Sequence, residues 1–197
     1  WSTLSKVLNA IFGFVSVHLL LGFYGKAEYG LLSIATACNG YMHLMDLGMN
    51  TGAVKYFAKW EAEGKRNLIY RVARTNISFY LIVSVINVLG LLALAIWGES
   101  LFSITHDQFV LLRYCFYILA IFASISWVTT AYNQLLTAFQ KVTYTMQVQC
   151  VIVQLKGLLI GSVFLFGLSL TEYFFYLTLI VACAIIPYMI KCKKDEA

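Results

Sequence analysis

The chain has 197 residues, of which 61% are hydrophobic and only 12% are charged, and its mean hydropathy is +0.80. This composition indicates a polytopic membrane protein and leaves little chain for a soluble domain. The net charge of +5 does not indicate nucleic-acid binding, because the basic residues cluster in the gaps between apolar stretches.

Six stretches are nearly free of charge over enough residues to cross a bilayer, for which a helix needs about 20 apolar residues. Backbone groups in lipid must be hydrogen-bonded internally, so these stretches predict helices. The expected fold is an all-α polytopic bundle forming one lobe, residues 1–197, with spans at about 4–24, 29–47, 70–97, 108–139, 144–168 and 171–190.

Two further features lie at the borders of these spans. The segment at about 51–67 mixes apolar and charged residues and predicts an amphipathic helix at the headgroup level, which Gly64 ends. Pro187, the only proline, falls in the last turns of the sixth span and is expected to bend that end at most.

The distribution of charge predicts the orientation in the membrane. Cytoplasmic loops are enriched in Lys and Arg, so the side that carries most of them is expected to be the cytoplasmic side, with both termini. Eleven of the 14 basic residues would share that side: Lys6, Lys55, Lys59, Lys65, Arg66, Arg71, Arg74, Lys141, Lys191, Lys193 and Lys194. The chain begins with Trp1 rather than Met, so we expect a fragment or a processed form.

Four predicted helices carry polar residues at helical spacing. These stripes either form hydrogen bonds between helices, contributing about 0.6–2 kcal/mol each, or line a hydrated cavity, because polar groups facing lipid are costly. Their members are Ser5, Asn9, Gly13 and Ser16; Thr36, Asn39, Gly40, His43 and Asp46; Asn76, Tyr80, Ser84 and Asn87; and Ser126, Thr129 and Asn133.

Lys156 lies near the centre of the fifth predicted helix, with Thr145 and Gln149 on the same face. An unpaired ammonium at this depth costs at least about 2.5–3.5 kcal/mol. No Asp or Glu is expected at the same depth, since Asp46 lies near the end of its helix. We therefore expect Lys156 to face water or an anionic ligand in a central cavity; the alternative is a structural pair that the sequence does not reveal.

Motifs of catalysis are missing from the sequence, which has no P-loop, no HExxH and no nucleophile elbow. The five cysteines form no CxxC pair and are expected to pack as small apolar residues. We therefore predict no enzymatic activity, no catalytic residues, no cofactor and no metal site.

Three segments resemble those of polysaccharide flippases. They are LGFYGKAEYGLLSIATA at 21–37, YMHLMDLGMNTGAVKYFAKWEAEGK at 41–65 and YNQLLTAFQKVTY at 132–144. These flippases are the O-antigen and capsule exporters of the multidrug/oligosaccharidyl-lipid/polysaccharide superfamily. The order of the segments, the helix count and the loop lengths extend the resemblance over almost the entire chain.

The resemblance implies a transporter that flips polyprenyl-diphosphate-linked oligosaccharide across the bacterial cytoplasmic (inner) membrane by alternating access, for surface polysaccharide biosynthesis. Its expected partners are this lipid-linked oligosaccharide and membrane lipids. Family members have two six-helix lobes, and this chain resembles the first, so a C-terminal lobe or a second copy is expected. Lys156 is predicted to contact the anionic headgroup, with Gln149, Asn87 and Asn9 as further polar contacts.

Three alternatives stay open. One is a cation-coupled multidrug exporter of the same superfamily, although the acidic residue that this branch often carries in its first helix is missing here. Another is a membrane enzyme of glycan assembly, which would need a larger outer loop than those predicted. The third is a non-transporting scaffold, in which the polar stripes would serve only helix packing.

Overall fold

The computed structural model describes residues 2–42, 49–102 and 104–196. Every element in these ranges is an α-helix, which confirms the predicted all-α class. The helices are α1 (Ser2–Met42), α2 (Met49–Ala62), α3 (Arg66–Phe102), α4 (His106–Ala138), α5 (Val142–Phe166), α6 (Leu170–Ala182) and α7 (Ile185–Glu196).

Five segments of the described chain are long and apolar enough to cross a membrane, as expected of a multi-pass membrane protein. They are Ala10–Tyr41, Asn67–Phe102, His106–Ala138, Val142–Phe166 and Leu170–Lys193. The predicted count of six is therefore not confirmed.

The difference in count arises in α1, which contains the first predicted span and the described part of the second. Gly25 interrupts the helical geometry between them, with φ 77° and ψ 172°. A positive φ of this size is favourable only without a side chain, which explains a glycine at this kink. Residues 43–47, the end of the second predicted span, lie outside the described residues.

The amphipathic helix α2 ends at Ala62, and α3 begins at Arg66, so both boundaries precede the predicted ones. The turn between them is closed by two backbone hydrogen bonds, from the Gly64 N–H to the Glu61 carbonyl and from the Lys65 N–H to the Trp60 carbonyl. This is the pattern of a helix end with a left-handed residue, and Gly64 has φ 70°. This geometry agrees with the prediction that Gly64 ends the amphipathic helix.

Pro187 changes its helix more than the sequence predicted. The single predicted span at 171–190 is divided into α6 and α7 by a turn at Cys183 and Ala184. A proline has no backbone N–H, and its ring clashes with the carbonyl four residues earlier, here that of Cys183. That carbonyl accepts a hydrogen bond from the Ile186 N–H instead, at 3.2 Å.

The core is organised around α3 and α4, which make the most extensive contact of any helix pair. One buried cluster joins α1, α3, α4, α5 and α6 towards the α3–α4 loop, and it includes Leu91, Phe116 and Phe174. A second cluster lies at the opposite end, where Phe57 of α2 packs with residues of α3, α4, α5 and α7, including Ile69. Between them lie a third, smaller cluster around Trp127 and the buried polar side chains of Asn76, Ser84 and Asn87. We call this middle part of the bundle the polar zone.

The turn between α4 and α5 provides a direct test of backbone strain. Gln140 has φ 57°, a left-handed conformation that costs a residue with a side chain about 1–2 kcal/mol. We expect Gln140→Gly to raise the free energy of unfolding by about 0.5–1 kcal/mol. Glycine removes the strain, but part of the gain is lost because glycine makes the unfolded chain more flexible. Thermal unfolding in detergent measures the change, and Gln140→Ala, which keeps the strain, should bring no such gain. An unstabilised Gln140→Gly protein would contradict the expectation.

Candidate functional site

Two cavities lie in the polar zone of the bundle and meet at Lys156. The first has a volume of about 180 Å³ and is lined by α1, α3, α4, α5 and α6, including Thr36, Asn39, Asn87, Phe122, Trp127 and Thr178. The second has a volume of about 200 Å³ and lies nearer the α4–α5 turn, with Thr129, Thr130, Asn133, Gln149 and Tyr188 on its wall. Lys156, Ser126 and Val181 line both cavities.

Lys156 lies near the middle of α5 and is half-buried. Its ammonium forms no salt bridge or hydrogen bond with any residue that the structure describes. The described walls of both cavities also contain no Asp or Glu. An ammonium inside a membrane protein needs a polar partner, and each cavity far exceeds the roughly 10–15 Å³ that one water occupies. The site is therefore a cationic one that water or an anion can enter.

Asn87 is the second unusual group of the first cavity. Its side chain is fully buried, and neither its amide nitrogen nor its amide oxygen hydrogen-bonds to a described residue. A buried polar group without a partner costs about 1–3 kcal/mol, so a ligand partner that hydrogen-bonds to Asn87 would remove this cost. Asn87 can offer that partner both a donor and an acceptor.

This cost leads to a prediction for stability. We expect Asn87→Leu to raise the free energy of unfolding by about 1 kcal/mol, because the substitution removes a buried amide without a described partner. Ser84→Ala, one turn earlier in α3, is the control and should lower it, since Ser84 lies 3.2 Å from the Ser124 hydroxyl. Denaturant titration of both variants measures the difference. A destabilised Asn87→Leu protein would mean that the amide is satisfied in solution.

Gln149 lies on the wall of the second cavity and connects two helices. Its side-chain nitrogen donates to the Tyr188 hydroxyl at 3.3 Å. One turn and a half earlier in α5, the Tyr144 hydroxyl donates to the Pro187 carbonyl at 3.1 Å. Both bonds hold α7 against α5 beside the Pro187 turn, so they determine the shape of this cavity.

The structure thus brings three of the predicted site residues to one connected region. Lys156 and Asn87 share the first cavity, and Lys156 and Gln149 share the second. The backbone of Asn9 belongs to α1, but its side chain lies outside the described residues. His43 and Asp46 of the second predicted stripe also lie outside them.

Some residues of the polar stripes form hydrogen bonds between helices and others line a cavity, so both interpretations of the sequence apply. The stripe of α3 mostly pairs with α4: the Asn76 amide donates to the Gln134 side-chain oxygen at 2.8 Å. The Gln134 amide in turn donates to the Tyr80 hydroxyl. Asn87 of this stripe lines the first of the two cavities at Lys156, and Ser126, Thr129 and Asn133 of α4 line one or both of them.

Several residues of the site and its support were not identified from the sequence. Gln134 follows Asn133 directly, but a rotation of about 100° per residue puts it outside the predicted stripe of Ser126, Thr129 and Asn133. The first cavity is also lined by Thr178 and by three aromatic residues, Phe122, Trp127 and Phe174. They were not predicted, because the sequence of an apolar span does not show which of its residues face a cavity. Among the described residues, no group of three His, Cys, Asp or Glu side chains is placed to hold a metal ion.

Comparison with known proteins identifies the family. The sequence profile of the family described as "Polysaccharide biosynthesis protein" matches residues 1–194. No curated protein and no solved structure gives a match. The family indicated by the three sequence segments is confirmed at this level. The chain therefore belongs to the family of polysaccharide biosynthesis proteins.

Proposed function

We propose that this protein flips polyprenyl-diphosphate-linked oligosaccharide from the inner to the outer leaflet of the bacterial cytoplasmic membrane. The observation that carries the proposal is the ammonium of Lys156, which has no described partner and stands where two internal cavities meet. The family match supports the broader statement that the protein is a transporter of polysaccharide biosynthesis.

The physical task of such a transporter is to lower the cost of moving a diphosphate and sugars through hydrocarbon. Charged and polar groups transferred out of water without compensation cost several kcal/mol or more. Lys156 compensates the anionic diphosphate, while amides and hydroxyls replace water around the sugars. Lys156 is the one cation in the described walls of the two cavities, which keeps binding weak enough for release.

The two cavities differ in a way that fits transfer in one direction. The second cavity, near the α4–α5 turn, is lined by hydroxyls and amides, including Thr129, Thr130 and Asn133. The first cavity, beyond Lys156, has walls that are mostly apolar and aromatic. In this proposal the second cavity is on the cytoplasmic side, which the basic residues at this end support, Lys141 in the α4–α5 turn and Lys191 and Lys193 of α7. The headgroup enters there and advances to Lys156.

The proposal includes six spans, with α1 reversing its direction at Gly25. On one side of this kink, the Phe12 ring lies 3.6 Å from the position that a Cβ on Gly157 would occupy. On the other side, Thr36 lines the same cavity as Lys156, which precedes Gly157 in α5. Both halves of α1 therefore reach the middle of α5, as two antiparallel spans would. Both termini are cytoplasmic in this arrangement, and a second lobe or a second copy completes the path.

The test is leaflet-resolved quantification of lipid-linked oligosaccharide in cells that lack the gene, with and without the full-length protein restored. We expect the completed intermediate to accumulate on the cytoplasmic face and to clear on restoration. An unchanged distribution between the leaflets would refute flipping. Drug sensitivity of the same strains, measured in parallel, would then show whether the protein is instead a multidrug exporter.

A further inference from the structure

A third cavity lies apart from the two that meet at Lys156. It has a volume of about 430 Å³, and α3, α4 and α7 form its walls. Its lining residues, none of which lines either of the other two cavities described above, are Tyr70, Ala73, Arg74, Ile77, Tyr132, Leu135, Phe139 and Cys192. We call this cavity the α3–α4 groove.

The groove occupies a different face of α4 from the central cavities. Tyr132, Leu135 and Phe139 follow the spacing of three and four residues that defines one helix face. Successive residues of a helix are rotated by about 100°, so Tyr132 points well away from its neighbour Asn133, which lines the second cavity. The groove is thus a separate site rather than a branch of the path past Lys156.

The chemistry of the groove combines one cation with hydrocarbon. Arg74 is exposed, and its guanidinium forms no salt bridge or hydrogen bond with the residues that the structure describes. Beside it, Ile77, Leu135 and Phe139 provide an apolar wall. A sugar has no hydrocarbon chain to place along this wall, and a small anion would need only the arginine. A ligand with a phosphate joined to acyl chains matches both parts.

The position of the groove agrees with such a ligand. It lies in the first turns of α3 and the last turns of α4, at the end of the bundle where exposed basic residues collect. Lys55, Arg71, Arg74 and Lys141 are all exposed at this end. This charge attracts anionic lipid headgroups to the same membrane surface. The groove therefore faces the leaflet region in which glycerol backbones and the first acyl carbons lie.

We propose that the α3–α4 groove binds one anionic glycerophospholipid, with the phosphate on the guanidinium of Arg74 and an acyl chain along Ile77 and Phe139. Arginine suits this role because its planar fork binds phosphate oxygens in pairs. The bound lipid occupies the groove between α3 and α4 and covers the parts of Ile77 and Phe139 that protein leaves exposed. This site is independent of the proposed transport function.

The test is native mass spectrometry of the purified full chain, titrated with palmitoyl-oleoyl phosphatidylglycerol and, separately, with the phosphatidylcholine of the same chains. We expect the first phosphatidylglycerol to bind about tenfold more tightly than phosphatidylcholine. Arg74→Gln should remove this preference, and Arg74→Lys should restore part of it. Arg71→Gln is the matched control, because Arg71 is an exposed arginine one turn earlier that does not line the groove, and it should change the affinity less than twofold.

Three outcomes would overturn the proposal. Equal binding of the two lipids would exclude recognition of the anionic headgroup. Equal losses in Arg74→Gln and Arg71→Gln would assign the preference to the general surface charge. Displacement of phosphatidylglycerol by inorganic phosphate would show a simple anion site without use of the apolar wall. Ala73→Phe, which fills the groove and keeps Arg74, should also weaken binding, and its thermal unfolding reports whether the variant remains folded.

Discussion

Replacing Lys156 with Ala or Met is expected to reduce flipping of lipid-linked oligosaccharide by about 10–100-fold. This range corresponds to the loss of one charged hydrogen bond to the headgroup, about 1.5–3 kcal/mol. The same variants should unfold at an equal or higher temperature, because they remove an ammonium with no described partner from the interior of the bundle. Leaflet-resolved quantification and thermal unfolding in detergent together provide the two readouts.

The combination of lost transport and retained stability separates a role in binding from a role in folding. Lys156→Arg should keep most of the activity, since it retains the positive charge at the junction of the cavities. Lys141→Ala is the control, because Lys141 is an exposed cation in the α4–α5 turn and lines neither cavity. Full activity in the Lys156→Ala or Lys156→Met protein would refute the proposed site.

Gln134→Leu is expected to cause the largest loss of stability, about 2–3 kcal/mol in the free energy of unfolding. Gln134 is buried and hydrogen-bonds to both Asn76 and Tyr80, which are also buried. Removing it leaves the Asn76 amide without this acceptor, and a buried polar group left unsatisfied costs about 1–3 kcal/mol. Titration with a denaturing detergent measures the change.

A double substitution tests the physical reason for that loss. Asn76→Leu combined with Gln134→Leu removes both partners and should be more stable than the sum of the single changes predicts. Asn133→Leu is the control, because the neighbouring Asn133 lines the second cavity, where water can reach it. Strict additivity of Asn76→Leu and Gln134→Leu would mean that their hydrogen bond contributes nothing to stability.

The positions of α4 and α5 were predictable because hydrocarbon imposes one strong requirement on the sequence. The predicted spans at 108–139 and 144–168 differ from α4 and α5 by only one or two residues at each end. The division between α6 and α7 was not predictable to the same degree. Pro187 marks the disruption, but whether a helix bends or breaks there depends on which groups satisfy the released carbonyl.

The sequence predicts those features of the site that depend on one helix alone, and not those that depend on how helices pack together. Lys156 stands out in the sequence because a charge inside a span is costly, and this does not depend on neighbouring helices. Which members of a polar stripe face a cavity depends on the rotation of each helix, and packing against its neighbours sets that rotation. The pairing of Asn76 with Gln134, and the buried position of Asn87, follow from contacts across helices that one stripe cannot reveal.

The distance between Asn76 and Gln134 along the chain also affects how the protein is made. The two residues are 58 positions apart, and α3 is synthesised before its partner helix. At elongation rates of about 5–20 residues per second, Gln134 follows Asn76 by about 3–12 s. During that interval the amide of Asn76 lacks its acceptor on α4, so α3 reaches its final hydrogen bonding only when α4 has joined it. Synthesis of α3 alone thus leaves this pair incomplete, and the α3–α4 hairpin contains both of its partners.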